Sequence, residues 1–273
     1  ALNWLDRIVS AAQRLNYVGT FTYQSAFHSE TSRITHYFDG RTEREKLEVL
    51  DGSPREVVRV DDEVKCFLPA DRRIIVQRLG QRAFPALPGE GHSALTQHYR
   101  IRAGEIGRVA GMEAQLLVLE PRDALRYGHL LWADRTTGLL LKLRTVDSKG
   151  GGIEQFAFNE VRIGGTIDRD ALKPRFDVAA SGWTVYDVNA TGATEEEDAW
   201  EFRSLPAGFA RTAGLKRQFK AGMPEAMHYV FTDGMAAIFA RTSLSAFPSS
   251  VPRRRRPSAF NSSRRSFMAA RSS

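Results

Sequence analysis

The stretch Thr20-Phe21-Thr22-Tyr23-Gln24-Ser25-Ala26-Phe27 decides the fold. Its period is two, so Phe21, Tyr23 and Phe27 share one face of an extended chain and the polar residues share the other. A turn is expected at His28-Ser29, after which Ile34, His36 and Phe38 alternate with Arg33, Thr35 and Tyr37. Asp39-Gly40 and Asp51-Gly52 are hairpin signals, because glycine adopts positive φ without steric cost. Upstream the period changes. Leu5, Ile8, Val9, Ala12 and Leu15 recur at helical spacing, which predicts an amphipathic helix over residues 3–15. Asn3 is the expected N-cap, and Asp6 suits the positive first turn.

Downstream the strand rhythm persists. Glu56–Val60, Val64–Leu68, Arg73–Val76, Tyr99–Ile101, Ala114–Leu119, Tyr127–Trp132, Leu139–Val146 and Ile153–Ile163 read as strands separated by turn-forming residues. Residues 80–98 break the pattern with Pro85, Pro88, Gly89 and Gly91, and carry a short helix near Ala94–His98. About ten strands after one helix predict an α+β, mostly β fold: an antiparallel sheet curled into a half-open barrel whose concave face the helix fills. This first domain is expected over residues 1–165. Gly164-Gly165 and Lys173-Pro174 mark a linker over 166–182, and a small second domain follows from Trp183 to Ile238.

The 273 residues suit two domains, and 42% hydrophobic with 26% charged residues is ordinary globular composition. The net charge of +7 misleads. Eight arginines and no Asp, Glu or Lys lie in 241–273, so residues 1–240 carry −1. The segment 239–273 therefore reads as disordered Arg/Ser/Pro-rich tail. Its run Arg253–Arg256 fits an anionic-membrane or nucleic-acid patch, but loss of every acid is also what a GC-rich gene yields out of frame, and we favour that reading; no nucleic acid partner is expected. The chain opens on Ala1-Leu2-Asn3-Trp4, as a secreted chain does after its signal peptide is removed.

Sequence motifs for chemistry are lacking. The six histidines show no HExxH spacing, and the lone Cys66 reads as a buried apolar residue. There is no GxSxG elbow, and neither Gly104–Gly107 nor Gly150–Gly152 has the spacing of a phosphate cradle. Glu43, Glu45 and Glu48, interspersed with Arg44 and Lys46, admit an acid/base pair, but a solvated strand face is the favoured reading. No catalytic residue, metal or cofactor is expected. Phe21, Tyr23, Phe27, Phe38 and Phe67 fit cavity walls and plain core equally well.

Several short pieces, in order and spacing, resemble the MucB/RseB family of regulators of the envelope-stress sigma factor. They begin with Tyr17-x-Gly19-Thr20-Phe21-x-Tyr23 and Leu50-Asp51-Gly52-x-Pro54-Arg55-Glu56-Val57-Val58-Arg59. Arg108-Val109-Ala110-Gly111, Pro121-Arg122-Asp123-x-x-Arg126-Tyr127-Gly128 and Leu131-Trp132-x-Asp134-x-x-Thr137-Gly138-Leu139-x-x-Lys142 follow. Glu154-Gln155-Phe156-x-Phe158, Leu205-Pro206-x-Gly208-Phe209 and Tyr229-x-Phe231-x-Asp233-Gly234 complete the series.

The resemblance implies a LolA-like half-barrel with a small C-terminal domain, periplasmic location, and binding to the periplasmic part of an RseA/MucA-type anti-sigma factor. It further implies shielding of that factor from its site-1 protease and release by lipid-type ligands, lipopolysaccharide or lipoprotein acyl chains. Leu5, Ile8, Phe21, Tyr23, Phe38 and Phe67 are the candidate lipid contacts, and Trp183, Phe209 and Tyr229 the candidate partner contacts. A homo-oligomer is left open. The alternative reading is a LolA/LolB-like lipoprotein carrier, against which the second domain argues; a hydrolase built on loop 80–98 has no motif behind it. After Asp233-Gly234 the family pattern is expected to fail at Phe239-Ala240-Arg241-Thr242, leaving the second domain incomplete.

Overall fold

The computed structural model of the chain describes residues 1–78, 92–176, 182–187, 202, 204–217 and 226–243. Two compact units emerge, Ala1–Gly192 and Ala193–Ser273. The first opens with helix α1 (Leu2–Arg14), whose buried stripe is Leu5, Ile8, Ala11 and Ala12. The cap differs from expectation: Ala1 is the N-cap residue and no side chain caps it, so Asn3 lies inside the first turn. A residue with helical backbone angles cannot fold its side chain over its own turn as a cap does.

The first unit carries strands β1 (Tyr17–Ser25), β2 (His28–Phe38), β3 (Glu43–Val49), β4 (Glu56–Val60), β5 (Glu63–Leu68) and β6 (Arg73–Arg78). After helix α2 (His92–His98) come β7 (Tyr99–Val109), β8 (Met112–Pro121), β9 (Gly128–Asp134), β10 (Leu140–Val146) and β11 (Gly152–Ile163). A last strand, β12 (Thr184–Asp187), joins them in one sheet of order β12-β6-β5-β4-β3-β2-β1-β11-β10-β9-β8-β7. Two antiparallel meanders thus meet where β1 pairs with β11, and the sheet stays open between β7 and β12. The expected mostly β architecture, a helix on an open sheet, is present.

The hairpin positions refine the sequence reading. The β1–β2 turn falls at Ala26-Phe27, with Ser25 opposite His28, so His28-Ser29 starts β2 and Phe27 stands fully exposed at the tip. The β7–β8 turn is Ala110-Gly111, and Gly107 lies within the strand. A bulge at Asn159 of β11, which leaves Thr20 opposite Glu160 and Phe21 opposite Phe158, shifts the register of β1 against β11 and increases the local twist. Gly19 is required beside it: a Cβ there would lie 2.6 Å from the Glu160 carbonyl oxygen and 2.7 Å from the Phe158 ring.

The expected linker is structured. From Ile167 to Phe176 the chain lies along the sheet with Ile167 and Leu172 buried, through one 3-10 turn at Arg169–Leu172. It then supplies β12, which runs parallel to β6 with Val185 opposite Ile74. Trp183, expected to open the second domain, therefore packs with the first unit, its ring 6.4 Å from Phe67 and 5.9 Å from Phe176.

The second unit holds an antiparallel sheet of β13 (Ala210–Arg217), β14 (Ala226–Thr232) and β15 (Ala237–Ser243). Its core is Phe209, Tyr229 and Phe231, with Phe202, Leu205, Met227 and Ile238 packed against them. The expected break at Phe239 is corrected: β15 continues through Phe239-Ala240-Arg241-Thr242, paired residue by residue with β14. A strand that completes a ladder is stabilised by its backbone hydrogen bonds whatever its family pattern. The acidic run Glu195–Asp198, the loop 79–91 and the tail from 244 to 273, including Arg253–Arg256, lie outside the described residues.

Candidate functional site

Side chains alternate across the sheet, and the unbroken register from β1 to β6 assigns each to a face. The inner face, under α1, carries Tyr17, Phe21, Ile34, His36, Glu43, Glu45, Leu47 and Arg59. Phe158 and Phe156 extend it across β11. The rings of Phe21, Phe156 and Phe158 meet edge to face at 5.0 to 6.0 Å, a geometry the aromatic quadrupole favours. Leu5 and Ile8 of α1 are buried, and Arg7 donates to the Arg135 and Thr136 carbonyl oxygens at 2.9 and 3.1 Å. Gly138, at φ +85, lets the β9–β10 turn approach the helix, since a Cβ there would sit 3.1 Å from Arg7 Cβ.

Of the residues expected to contact lipid, Phe21, Tyr23 and Phe38 share the inner face by register, with Leu5 and Ile8 buried on the helix. Phe67 does not. It pairs with Glu56 and Ile74 on the opposite, outer face and packs against Phe176 and Trp183. Alternation counted from the hairpins separates Phe67 from Phe21; aromatic character alone could not.

Two polar groups interrupt the inner wall. At one end His36, fully buried, is 2.7 Å through Nδ1 from the Leu15 carbonyl oxygen and 2.9 Å through Nε2 from Glu43 Oε1. Its ring stacks on Tyr17 at 4.9 Å. Arg59 donates to Glu43 and lies 3.5 Å from Glu45. Burial by itself would raise the Glu43 carboxyl, but hydrogen bonds from His36 and Arg59 outweigh it and hold the group down at about 2. Burial and the nearby Glu45 carboxylate push the Tyr17 phenol well above its ordinary value. The chain after α1 is fixed at the same place: the Phe38 N–H donates to Asn16 Oδ1 at 2.7 Å and the Gly164 N–H to the Asn16 carbonyl oxygen at 2.6 Å.

At the other end the Tyr23 hydroxyl donates to Glu154 Oε2 at 2.7 Å, and Thr145 Oγ1 lies 3.3 Å from both Glu154 Oε1 and His129 Nδ1. Burial raises the Glu154 carboxyl against the lowering effect of these hydrogen bonds. The inner face is therefore an apolar wall, packed under α1, between two polar ends. Among the described residues no group of three His, Cys, Asp or Glu side chains could hold a metal ion, and no helix is long and apolar enough to cross a membrane.

The acidic strand β3 is not the solvated face expected from its composition. Glu43, Lys46 and Glu48 are all buried, on alternate faces. On the outer face Lys46 lies 3.5 Å from both Glu48 and Glu56, and its Nζ donates to the Lys173 carbonyl oxygen at 2.8 Å. Arg175 closes this cluster from the segment above, with Nε 3.0 Å from Glu56 and 3.1 Å from Glu48. Sequence alternation held part of this signal: the Asp39-Gly40 hairpin places His36 opposite Glu45.

In the second unit the expected partner contacts Phe209 and Tyr229 are core residues. Tyr229 is fully buried, with Phe202 across it at 4.9 Å. Their apolar surface is already consumed within the unit, so they build it rather than face outward.

Comparison with known proteins gives a consistent set of likenesses. The MucB/RseB N-terminal domain family matches residues 1–176. The sigma factor AlgU regulatory protein MucB of Pseudomonas aeruginosa is 33% identical over 240 residues, spanning 86% of this chain and 72% of that protein. The sigma-E factor regulatory protein RseB of Salmonella typhimurium is 25% identical over 217 residues, spanning 78% and 66%. Among solved structures, the Pseudomonas aeruginosa MucA/MucB complex matches with a TM-score of 0.69 at 29% identity, covering 88% of this chain and 78% of the matched chain.

Proposed function

Since the chain belongs to the MucB/RseB family, we propose that it is a regulatory binding protein that holds the periplasmic part of a MucA/RseA-type anti-sigma factor and so restrains an envelope-stress sigma factor. The observation that carries this reading is the likeness, across 88% of the chain, to a structure solved as a complex of MucB with MucA. The chain works in the periplasm and performs no catalysis of its own. Bound, it shields the anti-sigma factor from its site-1 protease.

Lipid-type ligands, the acyl chains of lipopolysaccharide or lipoprotein, enter under α1 on the face lined by Phe21, Tyr23 and Phe38. Lipid and anti-sigma factor favour different states of the chain, so each weakens the binding of the other by the same factor. The partner meets exposed residues of the second unit. The deciding experiment is titration of the purified chain with a MucA-type periplasmic segment by calorimetry, repeated with added lipopolysaccharide. Saturable binding that lipid weakens is expected. Absence of binding overturns the regulator; binding indifferent to lipid overturns the lipid arm alone.

A further inference from the structure

The outer face of the sheet holds a cleft that the regulator reading does not use. It measures about 370 Å³ and lies between β3–β4 and the 3-10 turn at Arg169–Leu172. Its lining combines two kinds of side chain: Val58, Val60 and Leu172 are apolar, and Arg44, Arg169 and Lys173 are cationic; Arg59 also borders it, with its guanidinium committed to Glu43 and Glu45. Val60 is exposed although apolar, and Arg44, Arg169 and Lys173 are exposed. One carboxylate, Asp170, stands among them and is tied to Lys173 at 2.6 Å.

The walls are fixed. Arg169 donates to the Tyr37 hydroxyl at 2.9 Å with its guanidinium over that ring. The Lys173 backbone is held by Lys46, and Leu172 is buried. Tyr37 is opposite Arg44, which is opposite Val60, so these three form one row across the outer face. Val58 and Val60 stand two residues apart on β4 and both line the cleft. These two apolar positions are one strand repeat apart, about 7 Å. An extended chain repeats its side chains at the same interval.

We infer that this cleft is a docking site for an extended acidic segment of a protein partner, with aliphatic side chains two residues apart on Val58 and Val60 and carboxylates meeting Arg44, Arg169 and Lys173. Charge complementarity selects the occupant, because three cations against one carboxylate favour an anion. Shape selects a chain over a bilayer. The cleft is concave, with Leu172 buried in it, so a flat lipid surface meets only its exposed edge. The site does not depend on the anti-sigma reading, and its test uses a different ligand.

The test takes the full chain and a short labelled peptide alternating Glu and Val, read by fluorescence anisotropy at low salt. The Glu–Val peptide binds, a Lys–Val peptide does not, and binding weakens as salt screens the contacts. Reversal of both rim charges, Arg44→Glu with Lys173→Glu, lowers affinity about tenfold or more. Arg14→Glu, an equal class of charge change on exposed α1, leaves it in place. Matching thermal melts show that the variants are folded, as expected for exposed side chains. Failure of the wild-type chain to bind the peptide overturns the site, as does equal binding by the double variant. Displacement of the peptide by inorganic phosphate at equal concentration, or capture of phosphatidylglycerol vesicles in place of the peptide, also overturns it in favour of a simple anion or a membrane surface. None of these outcomes bears on calorimetry with the anti-sigma segment.

Discussion

The two faces of strand β3 bury charge in different ways. On the inner face Glu43 is closed in by His36 and Arg59, both from strands of the same sheet, with α1 and Leu15 above them. On the outer face Glu48 and Glu56 meet Lys46 from the sheet, and Glu48 also lies 4.0 Å from Arg33, but the second cation they share, Arg175, arrives on the segment after β11 and stays about two-thirds exposed. The inner cluster is completed by residues whose positions the hairpins fix. The outer one is completed by a separate piece of chain that must dock. Equal composition therefore yields unequal dependence: one cluster is part of the sheet, the other is a latch.

The strongest way to break this contrast is Arg59→Met. It removes the cation that both Glu43 and Glu45 face, and a buried pair that loses one partner costs about 3–5 kcal/mol. Denaturant titration reads this, and a loss near that of an exposed pair would refute the tight inner cluster. Acid comes next. Glu43 is held at about 2 against an ordinary 4.5. A depressed carboxylate contributes stability that is present above 4.5 and lost as pH falls toward 2, about 3 kcal/mol here. Melting temperature against pH should fall through that window, and Glu43→Gln should flatten the fall. The smallest effect is expected from Arg175→Ala on the outer face, about 1 kcal/mol because the side chain is largely in water. Its sharper readout is limited proteolysis, with faster cleavage between residues 164 and 182 and none elsewhere. An undiminished resistance there would show that Ile167, Leu172 and the Lys46 bond to the Lys173 carbonyl hold the segment down without Arg175.

Much of the fold is legible in the residues themselves. The helix stripe from Leu5 to Ala12, the period of two from Thr20 and the Asp-Gly turns place α1, β1 to β3 and the sheet's open meander. The reason is that burial of one face imposes a period on the sequence. The placement of Phe21, Tyr23 and Phe38 on one face is legible in the same way. Other assignments fail for physical reasons. Phe67 shares their composition but not their parity, and only the register of three successive hairpins reveals which face it takes. Phe209 and Tyr229 stand out as conspicuous aromatics, but a small three-stranded unit needs its aromatics for its own core.

By itself the sequence determined the alternating chain, the family pieces from Tyr17 to Gly234 and the near-neutral charge of residues 1–240, because these depend on local period and composition. Only the tertiary structure decided that β3 buries its charges on both faces, that Trp183 belongs with the first unit, and that Arg44, Arg169 and Lys173 border one cleft. Each of these joins residues far apart in the chain, and no local pattern records which distant segment comes to lie on a given face. The stretch Thr20–Phe27 shows the division in miniature. Its period makes a strand, but the register shift between Thr20 and Phe21 and the turn at Ala26-Phe27 are set by pairing with β11 and β2. Strand period is a property of one segment; register is a property of two.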